Sequence, residues 1–353
     1  MLVLLKSNAN HELPAAIGRS PTPMSAPPSI SVVIPVYRAE RIVPVLCQRL
    51  TASLASLNRP YEVVLIDDRS PDRTWEVMRQ MVQMYPGMVA VRLSRNFGQH
   101  YAITAGLDLV QGEWTVVMDC DLQDRPEEIS RLLETAERGY DIVLARRRQR
   151  LDNPGKRLFS RIFYASFNFL SGYRLDPSVG SFRIMKRNVV EAYRSMRESS
   201  RLFGGMIEWL GFNATYLDVE HAPRYEGKSS YNLRSMMRLA LDGMISFSNR
   251  PLYLSIGAGI LMSSFSAGFG FFVIIRFLLH PRIAVPGWLS MVTLTTFIGG
   301  LILLNLGILG IYIGRIYDQT KGRPHYVVDQ IVAVSRSAET GEKEMHVFTE
   351  GNS

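Results

Sequence analysis

The residues best equipped for chemistry lie in one stretch, Val116-Val117-Met118-Asp119-Cys120-Asp121-Leu122-Gln123-Asp124. An apolar run of β type breaks off into carboxylates at alternate positions, the pattern of a buried strand that delivers acidic side chains at its carboxyl end. Asp119, Asp121 and Gln123 offer only oxygen, and hard oxygen donors suit Mg²⁺ or Mn²⁺, ions that leave positions open for phosphates. Two carboxylates so close raise each other's pKa unless a cation sits between them. An isolated Asp-x-Asp is more often a solvated turn or cap. This one follows a strand and precedes a helix start, Arg125-Pro126-Glu127-Glu128, and strand ends are where open α/β sheets place ligands.

The elements that must position these residues alternate from Ile30 onward. Strand patterns at Ser31–Ile34, Glu62–Ile66, Val89–Leu93, Trp114–Met118 and Asp141–Leu144 are separated by helix patterns at Ile42–Leu57, Thr74–Met84, His100–Val110 and Pro126–Arg138. Strands of Val, Ile and Leu without polar alternation are buried on both faces, which predicts an α/β fold with a mostly parallel sheet between helices. Polar punctuation after the first, second and fourth strands, at Pro35-Val36-Tyr37, Asp67-Asp68-Arg69-Ser70 and the acidic stretch, places three strand ends where they could converge on one ligand.

The chain has 353 residues and a net charge of +8. Its basic residues gather beside apolar aromatics and long hydrophobic spans, and no nucleic-acid motif is present, so an acidic membrane surface is the expected partner rather than nucleic acid. Cys47 and Cys120 are too few for a disulfide framework and read as packing residues in a reducing compartment. Two spans, about 252–279 and 288–314, are apolar enough to cross a bilayer, and the linker His280–Gly287 with Pro281 and Pro286 makes them a hairpin. Arg234, Arg238 and Arg250 before the pair and Arg315, Lys321 and Arg323 after it predict a multi-pass protein of the inner (plasma) membrane with its large domain and both termini in the cytoplasm. The segments Lys156–Leu170 and Tyr231–Ile245 have the spacing of amphipathic helices at the headgroup layer. The expected organisation is a disordered leader 1–29, an α/β domain 30–230, a juxtamembrane helix 231–250, the hairpin 251–315 and a polar tail 316–353, frayed from Ser335. His100, at a helix start, reads as a surface or cap residue, and Arg183 as a structural ion-pair partner.

In order, Pro35-Val36-Tyr37, Asp67-Asp68-Arg69-Ser70, Arg95-Asn96-Phe97-Gly98, Asp119-Cys120-Asp121-Leu122-Gln123, Ser181-Phe182-Arg183, Arg224-Tyr225-Glu226-Gly227-Lys228-Ser229 and Gly314-Arg315-Ile316-Tyr317 resemble the motif series of family 2 glycosyltransferases with the GT-A nucleotide-sugar fold. With the membrane hairpin, the match narrows to the polyprenyl-phosphate glycosyltransferases, relatives of dolichyl-phosphate mannose synthase and of bacterial undecaprenyl-phosphate sugar transferases. The resemblance implies a donor site for a nucleoside diphosphate sugar at Pro35, Tyr37, Leu65 and Asp67, with Asp119, Asp121 and Gln123 handling metal and diphosphate. It also implies that Arg146 faces the reacting phosphates and that Arg224 closes over the donor. Arg38 and Ala39 stand where the family usually has Asn-Glu, which leaves Glu40 as a candidate nucleotide contact. Cys120 replaces a common alanine and would meet the donor through its backbone, and Lys228 would supply the charge missing at Ser230.

The implied chemistry is attack of an isoprenoid phosphate oxygen on the anomeric carbon, with inversion there. Such a phosphate is already ionised at neutral pH and needs no strong base. Asp121 and Arg146 are the expected catalytic groups, and Lys156, Arg157, Ser160 and Arg161 the candidates for holding the acceptor phosphate. A uridine diphosphate donor is favoured by analogy, and homo-oligomerisation is left open. The rivals are a processive polysaccharide synthase, against which the missing Gln-x-x-Arg-Trp motif counts, and a non-catalytic scaffold or flippase subunit that kept a sugar-nucleotide fold.

Overall fold

A computed structural model describes residues 28–147, 178–196, 198, 201–220, 250–279, 287–336 and 343–349. Most of the leader, both proposed interfacial helices, and the candidates Lys156, Arg157, Ser160, Arg161, Arg224 and Lys228 lie outside these residues. The chain divides into two units, one of Met1–Leu151, Asp176–Lys228 and Pro324–Ser353, the other of Asp152–Leu175 and Ser229–Arg323.

In the first unit the alternation expected from sequence is realised as β1 (Ile30–Val36), α1 (Ile42–Ala55), β2 (Tyr61–Asp67), α2 (Thr74–Met84), β3 (Met88–Leu93), α3 (Gln99–Leu109) and β4 (Trp114–Val117). A single 3₁₀ turn, Pro126–Glu128, then leads into α4 (Ile129–Ala136), followed by β5 (Ile142–Arg147). Every residue of β1 is buried, as its unbroken β-branched run requires. Val32, Ile34 and Val36 share one core with Leu46 and Leu50 of α1, Met78 of α2 and Leu132 of α4. On the opposite face α3 lies so close that a Cβ at Gly106 would sit 2.4 Å from Val33 Cγ1 and 2.7 Å from Ile66 Cδ1. Only glycine allows that approach.

Further along lie β6 (Val179–Lys186), α5 (Arg187–Ser195), α6 (Phe203–Trp209), β7 (Ala214–Val219), β8 (Val328–Arg336) and β9 (Lys343–Thr349). The nine strands form one sheet in the order β7-β5-β6-β4-β1-β2-β3-β8-β9. Its centre, β4-β1-β2-β3, is parallel, with Val36 opposite Asp67 and Val33 opposite Val117. Antiparallel strands join it on both sides, β6 beside β4 and β8 beside β3.

The C-terminal region corrects the sequence reading. The frayed tail expected from Ser335 is instead the end of β8 and a further strand, β9, paired from Gln330–Thr349 to Arg336–Lys343. β8 is part of the domain: Val332 and Ala333 are fully buried, and Val332 belongs to the main core. Mixed polar and apolar residues in Val-Asp-Gln-Ile-Val-Ala-Val-Ser-Arg concealed a strand whose middle residues, Ile331, Val332 and Ala333, are buried on both faces.

The second unit contains α7 (Arg250–Leu279, 30 residues) and α8 (Trp288–Thr320, 33 residues). At about 1.5 Å per residue each exceeds the ~30 Å hydrocarbon layer of a bilayer. Within α8, Phe297–Thr320 contains an 18-residue stretch of mean hydropathy 2.1, none of it buried inside the protein, and is long and apolar enough to cross a membrane. In α7 the large apolar side chains of Ile256, Ile260, Leu261 and Phe265 are likewise exposed.

Candidate active site

The parallel centre of the sheet brings the carboxyl ends of β4, β1 and β2 side by side, so the three polar loops read from sequence are neighbours. Backbone hydrogen bonds carry the alignment past the strands: Met118 N–H donates to the Val33 carbonyl at 3.2 Å, and Asp68 N–H to the Val36 carbonyl at 3.0 Å.

Beyond β4 the acidic loop turns through Leu122, which has φ 60° and a buried side chain. A leucine in the left-handed region is strained, and here the turn sends Leu122 into the core while Asp121 Oδ1 accepts the Gln123 N–H at 3.1 Å. Asp119 Oδ1 accepts a hydrogen bond from Gln99 Nε2 at 2.7 Å, and the same nitrogen reaches Ser181 Oγ at 3.4 Å. Asp124 is buried. Its carboxyl is pushed up to about 7, first by desolvation and next by the negative charge of Asp119, with Arg147 opposing and Asp121 reinforcing. Burial and the same charge push the Cys120 thiol up to about 12, so it is inert at neutral pH.

The first loop holds Tyr37 with 43% of its surface exposed, and the Arg38 guanidinium lies 5.3 Å from the ring centre. Arg38 has φ 53°, and its N–H donates to Ser70 Oγ at 3.0 Å, which binds this loop to the next. Glu40 Oε2 accepts the Arg73 N–H at 3.4 Å, which sets it at the start of α2. In the second loop Asp67 is fully buried and forms an Asx turn, with the Ser70 N–H on Oδ1 at 2.9 Å and Arg92 Nε 3.4 Å from Oδ2. Desolvation raises its pKa despite those two contacts. Asp68 accepts the N–H groups of Phe97 at 2.7 Å and Gly98 at 2.8 Å. Desolvation lifts its pKa as well, against both amides.

Some expected roles do not fit these positions. Leu65 has no exposed surface and packs the core, so its side chain supports the site from beneath. Arg146 Nε donates to Asp218 Oδ1 of β7 at 2.7 Å, with the guanidinium 5.8 Å from the Tyr216 ring centre. The arginine whose charge reaches Asp124 is its neighbour Arg147, because successive strand residues face opposite sides. His100 is not a surface cap: burial and the charge of Arg183 push its imidazole down to about 4, and Nδ1 is buried with no hydrogen-bond partner among the described residues. Arg183 donates to the carbonyls of Gly180 at 2.8 Å and Ser181 at 3.2 Å and lies 4.7 Å from the Phe203 ring centre. Gln99 and Arg147 carry no signal in the motifs themselves: Gln99 directly follows Arg95-Asn96-Phe97-Gly98, and strand alternation sets Arg147 opposite to Arg146.

Among the described residues, no group of three or more His, Cys, Asp or Glu side chains is arranged to hold a metal ion. The donor chemistry nevertheless suits a hard cation. Asp119 and Asp121 flank one residue, and their combined field is strong enough to help hold the buried Asp124 near neutrality. Two carboxylates and an amide oxygen would leave an ion open positions for phosphate.

This is a strand-end site with carboxylates at the carboxyl edge of a parallel sheet, the place where open α/β folds bind ligands. The family model for glycosyl transferase family 2 matches residues 31–194. The uncharacterized glycosyltransferase YkcC of Bacillus subtilis is 36% identical over 305 residues, covering 85% of this chain and 93% of the relative. The bactoprenol glucosyl transferase of Shigella phage SfX is 36% identical over 302 residues, covering 85% and 98%. The undecaprenyl-phosphate 4-deoxy-4-formamido-L-arabinose transferase of Aeromonas hydrophila is 35% identical over 317 residues, covering 88% and 95%. The chain belongs to glycosyl transferase family 2 and is an enzyme of the hexosyltransferase type.

Proposed function

We propose that the protein transfers a sugar from a nucleoside diphosphate, with uridine diphosphate favoured, to a polyprenyl phosphate on the cytoplasmic leaflet of the plasma membrane. The observation that carries this reading is the loop Asp119–Asp124 at the carboxyl edge of the parallel strands, in a chain that also has a membrane-length apolar helix. The acceptors for which two relatives are named, bactoprenol and undecaprenyl phosphate, agree with it. In this reading α7 and α8 form a membrane hairpin, and the strand-end site works in the cytosol.

The donor's base and ribose would lie against Tyr37 and the Asp67–Ser70 turn, with Asp119, Asp121 and Gln123 turned to the diphosphate. A bound Mg²⁺ or Mn²⁺, held by these three, would supply positive charge where the leaving diphosphate becomes more negative. Arg147, whose charge reaches Asp124, adds fixed positive charge at this edge, while Arg146 is held by Asp218. The acceptor's phosphate oxygen forms the new bond to the anomeric carbon, and the bond to the diphosphate breaks and leaves its electron pair there. The configuration inverts. No proton leaves an ionised acceptor, so the site needs orientation more than a base. Lys156, Arg157, Ser160 and Arg161 are proposed to receive the acceptor phosphate, and Arg224 and Lys228 to cover the donor.

Purified protein incubated with Mg²⁺, undecaprenyl phosphate and a panel of radiolabelled sugar nucleotides should yield one labelled lipid on thin-layer analysis. Failure with every donor would leave the non-catalytic membrane scaffold as the better description.

A further inference from the structure

The loop between β3 and α3 ties the end of β2 directly to the acidic loop after β4. On one side Asp68, at the end of β2, receives the amides of Phe97 and Gly98 at 2.7 and 2.8 Å, one on each carboxylate oxygen. On the other, Gln99, the next residue and the first of α3, gives its side-chain amide to Asp119 Oδ1 at 2.7 Å. Between them Gly98 has φ 102°, which favours glycine, and the Arg95 guanidinium lies 4.1 Å from the Phe97 ring centre. A carboxylate that takes two backbone amides fixes both the position and the direction of the turn. The residue that leaves such a turn has little freedom in where it presents its side chain.

We infer that Asp68 and Gln99 are positioning residues that act as one unit: Asp68 clamps the 97–98 turn, and the turn holds Gln99 so that its amide orients the Asp119 carboxylate. This rests on the proposed function, in which Asp119 turns its carboxylate to a metal–diphosphate group. The Gln99 hydrogen bond fixes one oxygen of Asp119 at 2.7 Å. Its loss removes one of the contacts that set the carboxylate's rotation about its last bond. Asp68 then affects the reaction from the nucleotide side of the sheet without touching the reacting atoms.

The test is binding of Mn²⁺ together with UDP or GDP to the full-length protein in detergent, followed by the paramagnetic resonance of free Mn²⁺. Gln99→Leu and Asp68→Asn should each weaken Mn²⁺ binding by about 10-fold, as loss of groups that orient metal ligands commonly does. The double variant should be no weaker than about 10- to 30-fold, because both changes break the same link. Gln99 is exposed, so Gln99→Leu should keep its thermal midpoint without metal, and it preserves the test if Asp68→Asn folds poorly. Single variants within twofold of wild type, or effects that multiply to about 100-fold in the double variant, would overturn the inference. If wild type itself retains no Mn²⁺ with either nucleotide, the sugar-nucleotide reading falls and takes this one with it. If wild type binds and the variants do too, only the positioning role is lost.

Discussion

Asp121 is the side chain on which the proposed chemistry most depends, since it closes the Asx turn with Gln123 and faces the same loop as Asp119. Asp121→Asn keeps the shape and the turn but removes the charge, so it should fold with an unchanged thermal midpoint and lose about 10²- to 10³-fold in kcat. Wild-type turnover in that variant, measured by lipid labelling, would remove its role. His100 permits a separate test. Its folded pKa of about 4 lies below the ordinary 6.5, so between those values the unfolded chain takes up more protons than the folded one. Stability from this group is therefore complete above pH 6.5 and is lost as the pH falls towards 4. His100→Gln, which stays neutral, should lose less of its thermal midpoint between pH 7 and pH 5 than wild type does.

At the level of elements, much was legible before any coordinates. Apolar strands separated by helices of period 3.6 identified β1 to β5 and α1 to α4, because burial on both faces leaves an unbroken Val/Ile/Leu signal. The strands outside the parallel centre were not legible. β7 alternates exposed and half-buried residues until Val219, and β8 and β9 follow a long apolar helix and a polar turn, where a tail is the simpler reading. The site followed the same division. Residue type and strand-end position point to Asp119, Asp121 and the Pro35–Tyr37 loop as candidates, whereas Gln99 reaches Asp119 across 20 positions of sequence, a contact that no local pattern records. The Asp67 turn and the burial of Leu65 likewise depend on neighbouring strands. The link between β3 and α3 yields a prediction at this scale: Gly98→Ala has room for its methyl group but not the backbone angle. It should cost about 1–3 kcal/mol in denaturant unfolding if the turn is kept, or weaken donor binding if the turn relaxes.

Across the whole molecule, the sheet draws on residues from both sides of the long helices: β7 ends at Val219 and β8 begins at Val328. The return is fastened at several points. Ser94 N–H donates to the Val327 carbonyl at 2.9 Å, the Tyr326 hydroxyl to Asp108 at 2.7 Å, and Arg69, in the Asp67–Ser70 turn, pairs with Asp329 at 2.6 Å. The Arg69 pair is exposed and worth little alone, but β8 also supplies core residues and pairs with β3 from Val89 to Leu93. A chain ending at residue 327 should lose the cooperative thermal transition and bind a hydrophobic dye, whereas one ending at residue 336 should keep the transition. A normal transition in the shorter chain would mean that β8 merely decorates the sheet.

That return also sets a timetable for biogenesis. During translation β3 leaves the ribosome with one side satisfied and the other bare, and its second neighbour arrives only after both long helices have been synthesised. Until then the nascent domain carries a raw strand edge of the kind that recruits foreign strands. With the helices inserting as proposed above, slow insertion would prolong that vulnerable interval, so the cell's demand for a holding chaperone should rise when insertion is delayed.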